Sequence, residues 1–178
     1  MKLLAFAASS SRQSINKKVA TYAAVLVENA QTEILDLNDY EIPIFSEDKE
    51  KALGQPALAI NFLLKIGNSD AVIISFAEHN GAYTAAYKNL FDWCSRINRD
   101  VFQGKPLVFL STSPGAGGAA NVLAAASKSA KYFAGDLKAT LSIPSFYENF
   151  DVESGRIKNS DINRELIKTV NSLVTTAP

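Results

Sequence analysis

Five short apolar runs, each followed by a stretch of helical periodicity, constrain this chain more than any other feature. The runs at Lys2–Ala8, Glu33–Leu37, Asp70–Ala77, Pro106–Thr112 and Leu137–Ile143 are rich in Val, Ile, Leu and Phe. Most are continuous rather than alternating, as strands are when a sheet is covered on both faces. Ile15, Val19, Tyr22, Ala23 and Leu26 recur at the spacing of one helix face, and so do Ile162, Leu166, Ile167, Val170, Leu173 and Val174. Ala57–Ile66, Tyr83–Ile97 and Ala119–Phe133 read as three further helices. A (βα)₅ order requires right-handed crossovers, and so a parallel sheet with helices on both sides. We therefore expect a three-layer, doubly wound α/β fold with five parallel strands; such units allow the flavodoxin-like order 2-1-3-4-5, which is the order expected here although periodicity does not fix it.

With 178 residues, 47% of them hydrophobic, the chain can bury a core of its own, and no repeat or Pro/Gly-rich linker divides it. We expect one domain over residues 1–178, with Asn38–Lys51 and Pro144–Asn159 as irregular loops at its rim. Lys and Arg total 18 and so do Asp and Glu, which leaves no excess positive charge to grip nucleic acid or an anionic membrane. The run after Met1 and Lys2 is short for a secretory signal core and leads straight into Ser9-Ser10-Ser11-Arg12, so it reads as a buried strand. No other apolar stretch approaches bilayer length. Cys94 is the only cysteine and has no internal disulfide partner. A soluble, cytoplasmic protein is the expectation.

In an open parallel sheet, ligands gather at the carboxyl ends of the strands, near the point where the strand order reverses. Three loops there are unusual. After the first strand comes Ser9-Ser10-Ser11-Arg12-Gln13-Ser14-Ile15-Asn16. Unpaired N–H groups and the positive dipole end of the following helix would let its hydroxyls cradle one phosphate. The plainer alternative is that Ser14 caps the helix and Arg12 is solvated. Neither a Gly-x-x-x-x-Gly-Lys-Ser/Thr loop nor a Gly-x-Gly-x-x-Gly turn is present, which argues against a P-loop nucleotidase or a dinucleotide-binding Rossmann site. After the third strand comes Ala77-Glu78-His79-Asn80-Gly81-Ala82, with a turn signal at Asn80-Gly81 and the only histidine of the chain. Glu78 either orients a ligand or is simply exposed. No catalytic triad or metal-ligand spacing surrounds His79. After the fourth strand, Ser111-Thr112-Ser113-Pro114-Gly115-Ala116-Gly117-Gly118 permits a tight turn with inward N–H groups, or is an ordinary strand-to-helix turn.

Together these loops resemble the NADPH-dependent FMN reductase family, flavodoxin-like enzymes that include chromate and quinone reductases, and the resemblance runs from Lys2 to about Val174. The family's Ser-x-Asn ending is matched by Ser14-Ile15-Asn16, and the resemblance assigns Ser9, Ser11, Ser14 and Asn16, with Arg12 as a helper, to the FMN phosphate. Its Pro-Glu-Tyr-Asn-Gly-Ser segment, followed by a Lys-Asn and Asp-Trp helix, is matched by Glu78, Asn80, Gly81, Lys88, Asn89, Asp92 and Trp93. Ala77, His79 and Ala82 stand where the family has Pro, Tyr and Ser. The resemblance lays Ala77–Gly81 along the flavin ring and closes its other side with Ser113, Gly115 and Gly118.

It further implies bound FMN, with NADPH or NADH as co-substrate. The expected reaction is ping-pong: hydride passes to FMN, and a quinone, free flavin, azo compound or oxidised metal ion then takes two electrons. Such chemistry belongs largely to the flavin and needs no catalytic side chain or metal. A homodimer or homotetramer is expected by resemblance, with the helix carrying Trp93 in the subunit contact, although Trp93 also fits plain core. Three rivals remain. One is a flavodoxin-like FMN electron carrier without NAD(P)H turnover, against which the chain's neutral charge stands. A second is a binding protein whose site has decayed through the three substitutions. The third, a thiol enzyme using Cys94 and His79, is countered by the apolar helix around Cys94.

Overall fold

A computed structural model describes residues 1–174, and positions 175–178 of the expected domain lie outside them. The first half of the chain forms β1 (Lys2–Ala8), α1 (Ile15–Val25), β2 (Gln31–Leu35), α2 (Glu47–Leu53), α3 (Ala57–Gly67), β3 (Ala71–Phe76), the short strands β4 (Glu78–His79) and β5 (Ala82–Tyr83), and α4 (Ala85–Ile97). The second half forms β6 (Pro106–Thr112), α5 (Ala120–Ala130), β7 (Asp136–Ile143), α6 (Phe146–Asn149), the short strands β8 (Phe150–Asp151) and β9 (Arg156–Ile157), and α7 (Ser160–Asn171).

The main sheet has the order β2-β1-β3-β6-β7 with every pair parallel, which is the expected 2-1-3-4-5 once the small hairpins are set aside. Side chains alternate across it, as the pleat requires. Leu4, Phe6, Val72, Ile74, Phe76 and Phe109 join one core with α3, α4 and α5. Leu3, Ala5, Ile73, Val108 and Leu110 join the other with α1 and α7. The central strands β1, β3 and β6 are buried along almost their whole length, whereas β2 and β7 alternate or lie open. The two edge strands account for the less continuous apolar runs in the sequence.

Several expected boundaries move, each for a local reason. The second strand ends at Leu35, because Asp36 accepts the Asn38 N–H and starts a 3₁₀ turn over Leu37–Tyr40. Asn38–Lys51 is not wholly irregular: Ser46 caps α2, whose acidic first turn suits the helix dipole and whose residues are all surface-facing. Tyr83 belongs to a hairpin and the helix after it starts at Ala85, capped by Thr84. Pro144–Asn159 contains α6 and the β8–β9 hairpin. In the C-terminal pattern, Leu166 and Val170 are buried but Ile167 and Val174 face outward. Among the described residues no helix is long and apolar enough to cross a membrane.

Candidate functional site

The register of the sheet brings the three unusual loops to one level, because Ala8 pairs with Phe76 and Phe76 with Ser111. All three leave the same end of adjacent strands. Asn16 locks them together. Its side chain is 2% exposed and its Oδ1 accepts from the Ser75 hydroxyl (2.8 Å) and the Thr112 N–H (3.1 Å), while its Nδ2 donates to the Thr112 carbonyl (3.1 Å). The first loop is thereby pinned to the ends of β3 and β6. Asn16 accordingly offers a ligand its backbone N–H, not the side-chain amide.

The serines of the first loop combine local backbone contacts with unused donors. Ser14 accepts the Lys17 N–H at 3.2 Å and so caps α1, and Ser9 accepts the Ser11 N–H at 3.2 Å. Each bond uses a lone pair and leaves the hydroxyl proton free to donate. Both serines are buried at 7% exposure, and neither proton has an acceptor among the described residues. The first helical bond of α1 runs from the Lys18 N–H to the Ser14 carbonyl, so the amides of Ile15 and Asn16 stand ahead of the ladder, as first-turn amides do. Donors alone, at the positive end of a helix, fit a phosphate group.

The second loop is a two-residue hairpin. Asn80 (φ 52°) and Gly81 (φ 76°) are both left-handed, the backbone of a type I′ turn, and Glu78 pairs with Tyr83 across it. Glycine serves the turn there. Glu78 has a different task from the one expected: its carboxylate accepts the Val122 N–H (2.9 Å) and an Asn121 amide proton (3.3 Å) at the start of α5. The residue preceding α5 is Ala119, which has no side-chain cap to give. Glu78 supplies that cap from a distant loop. In the third loop, the Ser145 and Phe146 N–H groups hold the Gly115 and Ser113 carbonyls.

One cleft at the strand ends is lined by Ser9, Ser11, Gln13, Ser14, Ile15, Asn16, Ala77, Glu78, His79, Thr112, Ser113, Pro114 and Tyr147. It unites most residues expected from the sequence but not all. Arg12 lines a neighbouring groove with Lys18 and Arg156. Asn80 and Gly81 are exposed at the hairpin tip, and Gly115 is exposed outside the lining. Gly118 is buried under β7: with φ +58°, a Cβ there would come within 2.3 Å of Ser142 Oγ and 3.2 Å of the Ile143 backbone. Its carbonyl accepts from both Ser111 and Ser142. Gln13, Thr112, Pro114 and Tyr147 line the cleft without having been expected there. Gln13, Thr112 and Pro114 lie inside the loop segments that the sequence marks out. Tyr147 is an exposed aromatic in the second rim loop, and only its loop position hinted at a site.

The Lys-Asn and Asp-Trp pairs of α4 are structural. Asn89 holds the Ile42 and Pro43 carbonyls and the Phe45 N–H, and Trp93 donates to the Pro43 carbonyl at 2.8 Å and packs edge-on against Phe45. Trp93 is 1% exposed, a core residue of this chain. Cys94 is also buried, and desolvation pushes its thiol up to about 12, while His79 is exposed on the hairpin. That pair is no catalytic couple. Beside the first loop, the hydrogen bond from Lys17 and the Asn38 N–H hold the Asp36 carboxyl down to about 2. Among the described residues no group of three or more His, Cys, Asp or Glu is placed to hold a metal.

The profile of a family described as NADPH-dependent FMN reductase matches residues 1–146. An NAD(P)H-dependent FMN reductase of Pseudomonas aeruginosa is 32% identical over 121 residues, 67% of this chain and 64% of that protein. A quinone reductase of Pseudomonas putida is 34% identical over 107 residues, 59% of this chain and 56% of that protein. The matched stretches thus span less than two thirds of these relatives. Among solved structures, the flavoenzyme NAD(P)H:(acceptor) oxidoreductase FerB of Paracoccus denitrificans superposes with a TM-score of 0.81 at 24% identity, covering 97% of this chain and 94% of that one. At that identity the likeness is one of fold.

Proposed function

Because the chain belongs to the NADPH-dependent FMN reductase family, we propose that its cleft binds FMN and that the protein reduces small-molecule acceptors at the expense of NAD(P)H. The observation that carries this reading is the pair of buried hydroxyl protons on Ser9 and Ser14, left without acceptors at the N-terminus of α1. They and the first-turn amides of Ile15 and Asn16 hold the phosphate monoester. Ala77 and the Thr112–Pro114 segment bound the space for the ring system, and Asn16 fixes the two sides relative to each other. When bound, FMN supplies hydride acceptance and two-electron transfer. His79 and Tyr147, exposed at the cleft, present planar groups to an incoming nicotinamide, quinone, flavin or azo compound. One cleft serves donor and acceptor in turn, which predicts parallel double-reciprocal plots.

The phosphate assignment is tested by fluorescence titration of flavin-free protein with FMN and with riboflavin, which lacks the phosphate. Two charge-assisted hydrogen bonds predict a preference for FMN of roughly a hundredfold or more. In Ser14→Asp the cap to Lys17 survives but a negative charge meets the phosphate, so the preference should vanish while the melting temperature holds. Equal affinities of the unaltered protein for FMN and riboflavin would overturn the assignment.

A further inference from the structure

Helices α4 and α5 cover the same face of the sheet without closing over it. Between them lies a cavity of about 270 Å³ floored by Phe76 and Phe109, with Tyr87 and Phe91 contributed by α4 and Ala126 and Ser129 by α5. The rings are already fixed by one another: Phe76 meets Tyr87 edge-on at 5.4 Å and Phe109 at 5.0 Å. None of the lining residues is shared with the cleft at the strand ends. The hairpin divides the two spaces, with Glu78 lining the cleft and Tyr83 lining the cavity.

Tyr87 is 4% exposed as a residue, and its hydroxyl, for which no hydrogen-bond partner is found among the described residues, is not sealed in the core but opens on the cavity that the residue lines. In the open cavity water satisfies that hydroxyl, and a ligand that displaces the water must accept its proton or leave it unpaired at a cost of about 1–3 kcal/mol. Burial holds this phenol well above the ordinary tyrosine value, so it stays protonated and acts as a donor. Nearby, Tyr83 Oη and Ser129 Oγ are 3.4 Å apart and occupy each other. At the rim, Lys88 and Asp92 neutralise each other in an ion pair of 2.7 Å. The lining therefore asks for a flat apolar body, no charge and one acceptor atom. An apolar hole of roughly 150 Å³ takes benzene, and this cavity has room for a second fused ring.

We propose that the space between α4 and α5 is a second ligand site, for a neutral fused aromatic molecule whose one acceptor atom takes the Tyr87 hydroxyl proton. The test is calorimetric titration of the FMN-saturated protein with quinoline and with naphthalene, which has the same shape and no acceptor. Quinoline should bind once per chain, without releasing FMN, and more tightly than naphthalene. Tyr87→Phe keeps the ring and removes the donor, and should weaken quinoline roughly five- to tenfold, the worth of one hydrogen bond, while leaving naphthalene unchanged. Ala126→Leu fills the space and should abolish both. If that variant does not fold, the Tyr87→Phe comparison decides alone. Failure of quinoline to bind, equal binding to Tyr87→Phe, retained binding in folded Ala126→Leu, or displacement of FMN would each overturn the proposal. So would binding that fades with rising protein concentration as light scattering reports pairing, because a second copy would then be the occupant.

Discussion

Asn16 is the residue on which the site's geometry hangs, since one buried amide ties α1 to the ends of β3 and β6. Replacing it by Ala strands the Ser75 hydroxyl and both backbone groups of Thr112, and should cost about 3 kcal/mol, read as a lower urea midpoint. Gly118→Ala combines a left-handed backbone with a clash against Ser142 and the Ile143 backbone, and should cost about 2 kcal/mol by the same measurement. Cys94, with its thiol raised to about 12 by burial, should resist alkylation in the folded protein at mildly alkaline pH and react at once in denaturant. The sequence made Ser14-Ile15-Asn16 legible as a unit but not the division of labour within it. Asn16 finds its partners 59 and 96 positions away, and no local spacing reports such a contact. The packing of Gly118 is hidden in the sequence for the same reason: its neighbour is β7, far along the chain.

At the scale of elements, long-range caps matter as much as local ones. Ser14, Ser46, Thr84 and Asn159 each cap the helix that follows them, whereas α5 takes its cap from Glu78. Glu78→Ala should therefore destabilise the protein by about 1 kcal/mol, and hydrogen exchange should show the loss concentrated in the first turn of α5. Glu78→Gln, which keeps an acceptor, should lose less. The strands β1, β3 and β6 were plain in the sequence because burial on both faces leaves an unbroken apolar run. The edge strands were shifted by one or two residues, α2 was hidden because it buries nothing, and the hairpin at Asn80-Gly81 showed only its turn.

For the whole molecule, the ion pair of Lys17 with Asp36 fastens α1 to the end of β2. Asp36 has its pKa lowered from 3.8 to about 2 in the folded chain, so folding binds fewer protons there than unfolding does. Its contribution is full above the unfolded value and is lost as pH falls through the folded one. Because both side chains are about a third exposed, solvent screening reduces this to about 1 kcal/mol. Urea midpoints measured from neutral pH down to about 2 should fall less in Lys17→Met than in the unaltered protein. That the sheet is parallel and covered on both faces follows from right-handed crossovers and is legible in the sequence, as is the end of the sheet where the cleft lies, whereas periodicity does not fix the strand order, which the pairing of the strands establishes. The cavity between α4 and α5 was not, because its aromatic residues have the spacing of ordinary core. The central claim is that this fold carries FMN as a reductase, and anaerobic titration of the FMN-loaded protein with NADPH and with NADH tests it most directly. The flavin's visible absorption should bleach with at least one nicotinamide and return when a quinone is added. Absorption unchanged by either nicotinamide, or a protein that retains no FMN, would contradict it.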